Sequence, residues 1–325
     1  MNDPHRPALD PDAAARVAAF GPPVPIRDRG LQAVRDAIES APPPTDMPTM
    51  ADIGDAEVAG PGGRVPVRIY RPANDGGPCP VIVHLHGGGL VMGSNRSFEP
   101  MARAMAAASG AAVVAVDYRL APENPPPAQF EDAWTVTKWV AADAERLRFD
   151  PGKIVVSGDS AGGGLAAAVT LAARDEGGPR LFAQVLMYPG LDRDMAAPSI
   201  LANPHAPMLT HDDIVYLHEL ADIGAGTSHD TRRVPAYATD LTGLPQAIMV
   251  TGELDPISDW GERYAARLRD AGVQTTVTRY PGIYHGFLMR SEATARGRLA
   301  MAEIGALLRA KFANPLPFTT PLRCR

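Results

Sequence analysis

Five short apolar runs recur along the chain: VIVHLH (81–86), AAVVAVD (111–117), KIVVSG (153–158), LFAQVLMYP (181–189) and LPQAIMVTG (244–252). Alanine-rich helical stretches separate several of them. A strand that is apolar at nearly every position is buried on both faces, and strands that alternate with helices build a mainly parallel sheet. The fold class is therefore α/β, with helices covering both faces of the sheet. With 325 residues, the chain can hold one large core with insertions or two smaller domains.

The flanks divide into further parts. DPDAAARVAAF (10–20) and DRGLQAVRDAIES (28–40) read as two short helices, and APPPTDMP ends that pattern. GRVPVRIYRP (63–72) alternates as a half-exposed strand does. VQTTVTRYP (273–281) supplies another strand, followed by a final helix over about 292–310 and a turn-rich tail over 313–325. Residues 190–240 form an insertion without a clear strand. It holds a helix over 209–221 that Thr210 can cap ahead of Asp212 and Asp213. The insertion leaves the sheet at a strand's carboxyl end, where open α/β sheets bind ligands, so it is expected to act as a cap. The organisation expected is thus 1–55 as amino-terminal cap helices, with 56–189 and 241–312 as the main domain.

Composition removes several classes of function. The formal charge is -6, and no basic surplus favours a nucleic acid or an anionic membrane. The amino terminus MNDPHRPALDPDAA is too polar for a signal peptide, and no run approaches a membrane span, so a cytoplasmic protein is expected. Cys79 and Cys324 read as free thiols.

The chemistry is carried by loops at strand ends. Gly158-Asp159-Ser160-Ala161-Gly162 fits the G-x-S-x-G turn between a strand and a helix, which lifts a serine clear of the backbone. The glycines are needed because so tight a turn has little room for neighbouring Cβ atoms. His86-Gly87-Gly88-Gly89 directly follows a strand, and its chance expectation on this composition is only about 0.01. Side chains would obstruct backbone N–H groups aimed at a developing negative charge, so Gly88, Gly89 and Ala161 are the expected oxyanion donors. His84 and His86 share a strand face but have no third ligand beside them, which argues against a metal. His86 is expected to shape the loop through hydrogen bonds.

A serine nucleophile needs a base, and the expected chain order is Ser, then Asp or Glu, then His. His205, His211, His218 and His229 lie in the insertion and read as surface or capping residues. His285, in RYPGIYHGF, follows the last strand and reads as the base. Asp255, in VTGELDPISDWG, follows an apolar strand and is the expected acid, with Pro256 starting the next helix. Glu253 and Asp259 share the neighbourhood and are assigned to loop hydrogen bonding or helix capping. Leu90, Asp159, Met208 and Leu209 are expected around the substrate.

Together the segments HGGG at 86, DYRLAPE at 117, GDSAGG at 158, LDPISD at 254 and HGF at 285 resemble the hormone-sensitive-lipase-like branch of the α/β-hydrolases, bacterial esterases in particular. The resemblance implies an eight-stranded sheet, a helical cap, and hydrolysis of short- to medium-chain carboxylic esters without a cofactor. It implies the same triad, Ser160, Asp255 and His285, and the same donors, and it makes Glu123 structural. Leu90 stands where the family often has a large aromatic. Family members often dimerise through the edge strand, here 273–280. Two other readings share the motifs: hydrolysis of an activated amide, carbamate or lactone, and a non-catalytic binder like the plant gibberellin receptors, which have lost the histidine retained here.

Overall fold

The computed structural model describes residues 7–74, 76–222 and 229–316. Its eight strands are β1 (Asp52–Gly60), β2 (Gly63–Arg71), β3 (Cys79–Leu85), β4 (Ala112–Val116), β5 (Phe149–Asp159), β6 (Ala183–Met187), β7 (Gln246–Gly252) and β8 (Thr275–Tyr280). They form one sheet in the order β1-β2-β4-β3-β5-β6-β7-β8. The β1–β2 and β2–β4 pairings are antiparallel, and the others are parallel. The carboxyl ends of β3 to β8 therefore open on one edge, with β5 in the middle.

The helices are α1 (Pro11–Ala19), α2 (Ile26–Arg29), α3 (Leu31–Ser40), α4 (Glu99–Ser109), α5 (Ala128–Ala142), α6 (Ala161–Asp175), α7 (Pro198–Ala202), α8 (His211–Ala221), α9 (Ser258–Asp270) and α10 (Ala295–Ala313). Alternate strand residues feed two cores. Val81, Val83 and Leu85 of β3 join α5, α6 and α9 on one face. Ile82 joins α4 and α10 on the other. Burial on both faces explains why these strands read as unbroken apolar runs.

Two smaller clusters cover the carboxyl edge. Leu209 and Ile214 pack on Ile257 and Trp260. Val34 of α3 packs with Val91 and Met92 of the loop after β3 and with Ala221 of α8. Leu217 of α8 touches both clusters. Asp213 closes a capping box with Thr210 at the start of α8, and it also accepts from the Ile26 amide at 2.8 Å. The amino-terminal helices are thereby joined to the insertion.

The expected helix over 28–40 divides at Gly30, which has φ of 80° and separates α2 from α3. β1 and α7 gave no signal in the sequence, because β1 is polar and exposed along most of its length. Pro256 does not start a helix; α9 begins two residues later, at Ser258. Cys79 is a buried free thiol, and Cys324 lies outside the described residues. Among the described residues, no helix is long and apolar enough to cross a membrane.

Candidate active site

Ser160 stands between the end of β5 and the first turn of α6, with φ of 53° and ψ of -122°. This is a costly conformation for a residue with a Cβ, and the surrounding packing holds it. Added Cβ atoms show why the flanking residues are glycine. One on Gly158 would lie 2.1 Å from the Gly162 carbonyl oxygen, and one on Gly162 would lie 2.0 Å from that of Leu85. The Ser160 amide bonds the Met187 carbonyl at 2.9 Å, and its own carbonyl accepts from Gly163, Gly164 and Gly190.

Ser160 Oγ lies 2.9 Å from Nε2 of His285, whose Nδ1 lies 2.8 Å from Oδ2 of Asp255. His285 hangs from the loop after β8, and Asp255 from the loop after β7. With Nδ1 protonated toward the carboxylate, Nε2 is left to accept the serine proton. Asp255 is fully buried, and its Oδ1 accepts from the Ile257 amide at 2.9 Å. Tyr188 meets the imidazole edge-on, with centroids 5.0 Å apart. The neighbouring carboxylates are engaged elsewhere. Glu253 accepts from the Gly282 amide at 3.0 Å, and Asp259 accepts from the Ser199 amide at 2.8 Å.

The loop after β3 faces this group. Gly88 and Gly89 have positive φ values of 106° and 64°, and a Cβ on Gly88 would meet the Met92 carbonyl at 2.1 Å. Gly89 and Ala161 line the same cleft as Ser160, and Gly88 is not among its lining residues. His86 stacks between Tyr118 and Phe98 at centroid distances of 4.3 and 5.2 Å, and its Nδ1 lies 2.7 Å from the Gly87 carbonyl. From outside, Arg35 of α3 donates to the Val91 and Ala121 carbonyls and pairs with both oxygens of Glu123. Glu123 thus ties the loop to an amino-terminal helix, and this pairing holds its carboxyl down at about 2.

The cleft measures about 850 Å³, open mouth included. Leu90 and Leu209 line it, joined by Phe130, Leu165, Leu217 and Trp260. Three expectations fail here. Met208 is half exposed and does not line the cleft, because the chain turns at its φ of 70° and sends Leu209 inward instead. Asp159 is also absent from the lining. It is buried beneath the loop, where it accepts from the Gly87 amide at 2.8 Å. Burial pushes its carboxyl up to about 7, against the opposing pull of the Gly87 hydrogen bond. His218 reverses its assignment too, since it lines the cleft beside Arg193 and Trp260. The arginines and aromatics of the wall carried no local motif. Only the helical phase of α8, counted from its Thr210 cap, puts Ile214, Leu217, His218 and Ala221 on one face. Among the described residues there is no cluster of histidine, cysteine and acidic side chains that could hold a metal.

A family model described as alpha/beta hydrolase fold matches residues 82–289. The chain belongs to the hormone-sensitive-lipase-like α/β-hydrolases. It is 42% identical to the carboxylesterase NlhH of Mycobacterium tuberculosis over 249 residues, covering 73% of this chain and 77% of that one. It is 36% identical to the esterase LipI of the same organism over 312 residues, covering 91% and 95%. A solved α/β-hydrolase, the hyperthermophilic esterase of the archaeon Pyrobaculum calidifontis, superposes with a TM-score of 0.86 at 34% identity, covering 94% of this chain and 99% of that one.

Proposed function

We propose that this chain is a serine carboxylesterase that hydrolyses short- to medium-chain esters through an acyl-enzyme on Ser160. The observation that carries the proposal is the continuous line from Ser160 Oγ to His285 to Asp255, at 2.9 and 2.8 Å, with Ser160 lining a largely apolar cleft. Ser160 Oγ attacks the ester carbonyl carbon as His285 Nε2 takes its proton. The carbonyl oxygen becomes an oxyanion facing the amides of Gly88, Gly89 and Ala161. Collapse breaks the bond to the alcohol oxygen, which leaves with the proton from His285. Water repeats the sequence on the acyl-serine and releases the acid. Asp255 orients the imidazole and stabilises the imidazolium.

The amino-terminal helices and the 190–240 insertion act in this reading as a cap that sets which chains enter. Support comes from Leu209, Ile214 and Leu217, which form part of the cleft wall. β8 is an open edge, so a homodimer would pair there; light scattering of a variant with a proline at Thr276 tests that contact.

The experiment for the main proposal is an acyl-chain series of chromogenic esters run beside amides and lactones, with fluorophosphonate labelling and mass spectrometry. Hydrolysis that favours esters, an adduct on Ser160 and a loss of several orders of magnitude in Ser160→Ala are expected. An adduct on another serine of an active preparation, or preferred cleavage of amides or lactones, would sink it.

A further inference from the structure

The cleft that reaches Ser160 is lined by three arginines, Arg193, Arg232 and Arg233, against a single acidic residue, Asp222. Oδ1 of Asp222 serves two of them, Arg233 at 2.8 Å and Arg193 at 3.4 Å. Arg232 reaches away from the cleft to Glu176 at 2.9 Å, with its guanidinium 5.3 Å above the Phe130 ring. Arg193 is left with the longer share of an engaged carboxylate.

Its other contact is to a neutral group. Nη1 of Arg193 donates to Nε2 of His218 at 2.9 Å. Burial, and then the charge of Arg193 itself, pushes this imidazole down to about 3, so it carries no charge at neutral pH. His218 is held in plane by stacking on Trp260, with centroids 6.0 Å apart. The stretch after Asp222, IGAGTS at 223–228, contains no ionisable side chain.

A cleft for plain alkyl chains gains nothing from such a residue, because a half-dry guanidinium loses hydration that a neutral imidazole and a shared carboxylate oxygen at 3.4 Å replace only in part. A carboxylate does replace it, through short charge-assisted bonds to the planar N–H fork. The whole chain carries a formal charge of -6, so this cationic wall opposes the general field of the protein. Resting on the esterase reading above, we propose that Arg193 marks a carboxylate subsite. The preferred esters carry an anionic carboxylate at the end of the acyl or the alcohol chain, remote from the scissile bond.

The test compares matched pairs of esters. On the acyl side, the para-nitrophenyl half-ester of adipic acid is set against para-nitrophenyl hexanoate. The adipate spacer is long enough to suppress intramolecular anhydride formation. On the alcohol side, acetoxyhexanoate is set against hexyl acetate. Active enzyme is counted in every sample by fluorophosphonate titration. In at least one pair, wild-type kcat/KM should favour the anionic member. Arg193→Gln should lower the anionic-to-neutral ratio by about tenfold, the size expected when one charge-assisted hydrogen bond is lost. Arg193→Lys should recover part of it. A wild-type preference for the neutral ester in both pairs overturns the subsite, and that result needs no variant. An anionic preference that Arg193→Gln leaves in place also overturns it. Failure to hydrolyse either neutral ester would overturn the esterase reading itself, which is a separate outcome.

Discussion

The Gly87 amide donates to Oδ1 of Asp159 across 2.8 Å, so the residue before the nucleophile holds the start of the glycine loop that faces it. The fit leaves no slack: a Cβ on Gly87 would stand 2.4 Å from Asp159 Oδ2. His84 comes within 3.8 Å of the same carboxyl, but burial and the nearby His86 push its imidazole down to about 3, so it supplies no compensating charge. The nucleophile turn and the loop opposite it are one mechanical unit, with a buried carboxyl as the link.

That link makes stability depend on pH. An unfolded aspartate titrates at about 3.9, whereas burial raises Asp159 to about 7. Between those values the folded protein keeps a proton that the unfolded chain releases. Stability from this group is therefore complete below about pH 4 and falls until about pH 7. Asp159→Asn keeps an acceptor for Gly87 and removes the titration. In urea unfolding at pH 5 and pH 8, the wild type should lose more stability between the two than the variant. Equal losses would place the pH dependence in other groups.

A second prediction separates three acidic residues within one turn of chain. Asp255→Asn should leave the fold intact and cut kcat severely, since an amide favours the wrong imidazole tautomer; the same exchange in a serine protease costs about 10⁴ in kcat. Glu253→Gln and Asp259→Asn keep an oxygen that can accept from the Gly282 and Ser199 amides and lose only the charge assistance, at a cost of about 1 kcal/mol or less each, with kcat close to normal. Steady-state kinetics beside thermal melts decide the matter. A near-normal kcat in Asp255→Asn with collapse in Glu253→Gln would move the acid by two residues.

The contrast between legible and illegible features has a physical basis. The elbow glycines could be read because a strained turn restricts its immediate neighbours, which are local in sequence. Strands β3 to β7 could be read because burial on both faces writes itself into each residue. The direction of a loop side chain is set by distant partners. Asp159 points down to Gly87 of another loop, and Met208 gives way to Leu209 at a single positive φ. His218 looked like a surface residue because its companions, Arg193 and Trp260, come from other segments of the chain.

Steric demand at the elbow gives a third prediction. A Cβ on Gly162 would press on the Leu85 and His86 carbonyl oxygens at 2.0 and 2.4 Å, both rigid backbone at the root of the glycine loop. Gly162→Ala should therefore cost about 3 kcal/mol or more and misplace the oxyanion donors. Gly54→Ala in the edge strand β1 meets nothing within 4 Å and should change stability by less than about 1 kcal/mol. Calorimetry on both variants checks the pair. A Gly162→Ala protein as stable and active as the wild type would show that the elbow can relax.

The last prediction concerns which side chains measure the substrate. Leu217 lies so close to the glycine loop that a Cβ on Gly89 would stand 2.6 Å from its Cδ2, and it lines the cleft together with Leu209. Met208, one residue away from Leu209, is half exposed and outside the wall. Leu217→Ala opens space in the cleft wall beside Gly89, so the acyl-chain optimum should move toward longer esters. Leu209→Phe narrows the wall and should move it toward shorter ones. Both changes should act mainly through kcat/KM on long chains, because neither residue touches the proton path between Ser160, His285 and Asp255. Met208→Phe, which adds similar bulk to a solvent-facing position, should leave the chain-length profile flat. A shift in Met208→Phe equal to that in Leu209→Phe would mean that the cap moves as a body during turnover rather than presenting the wall described here.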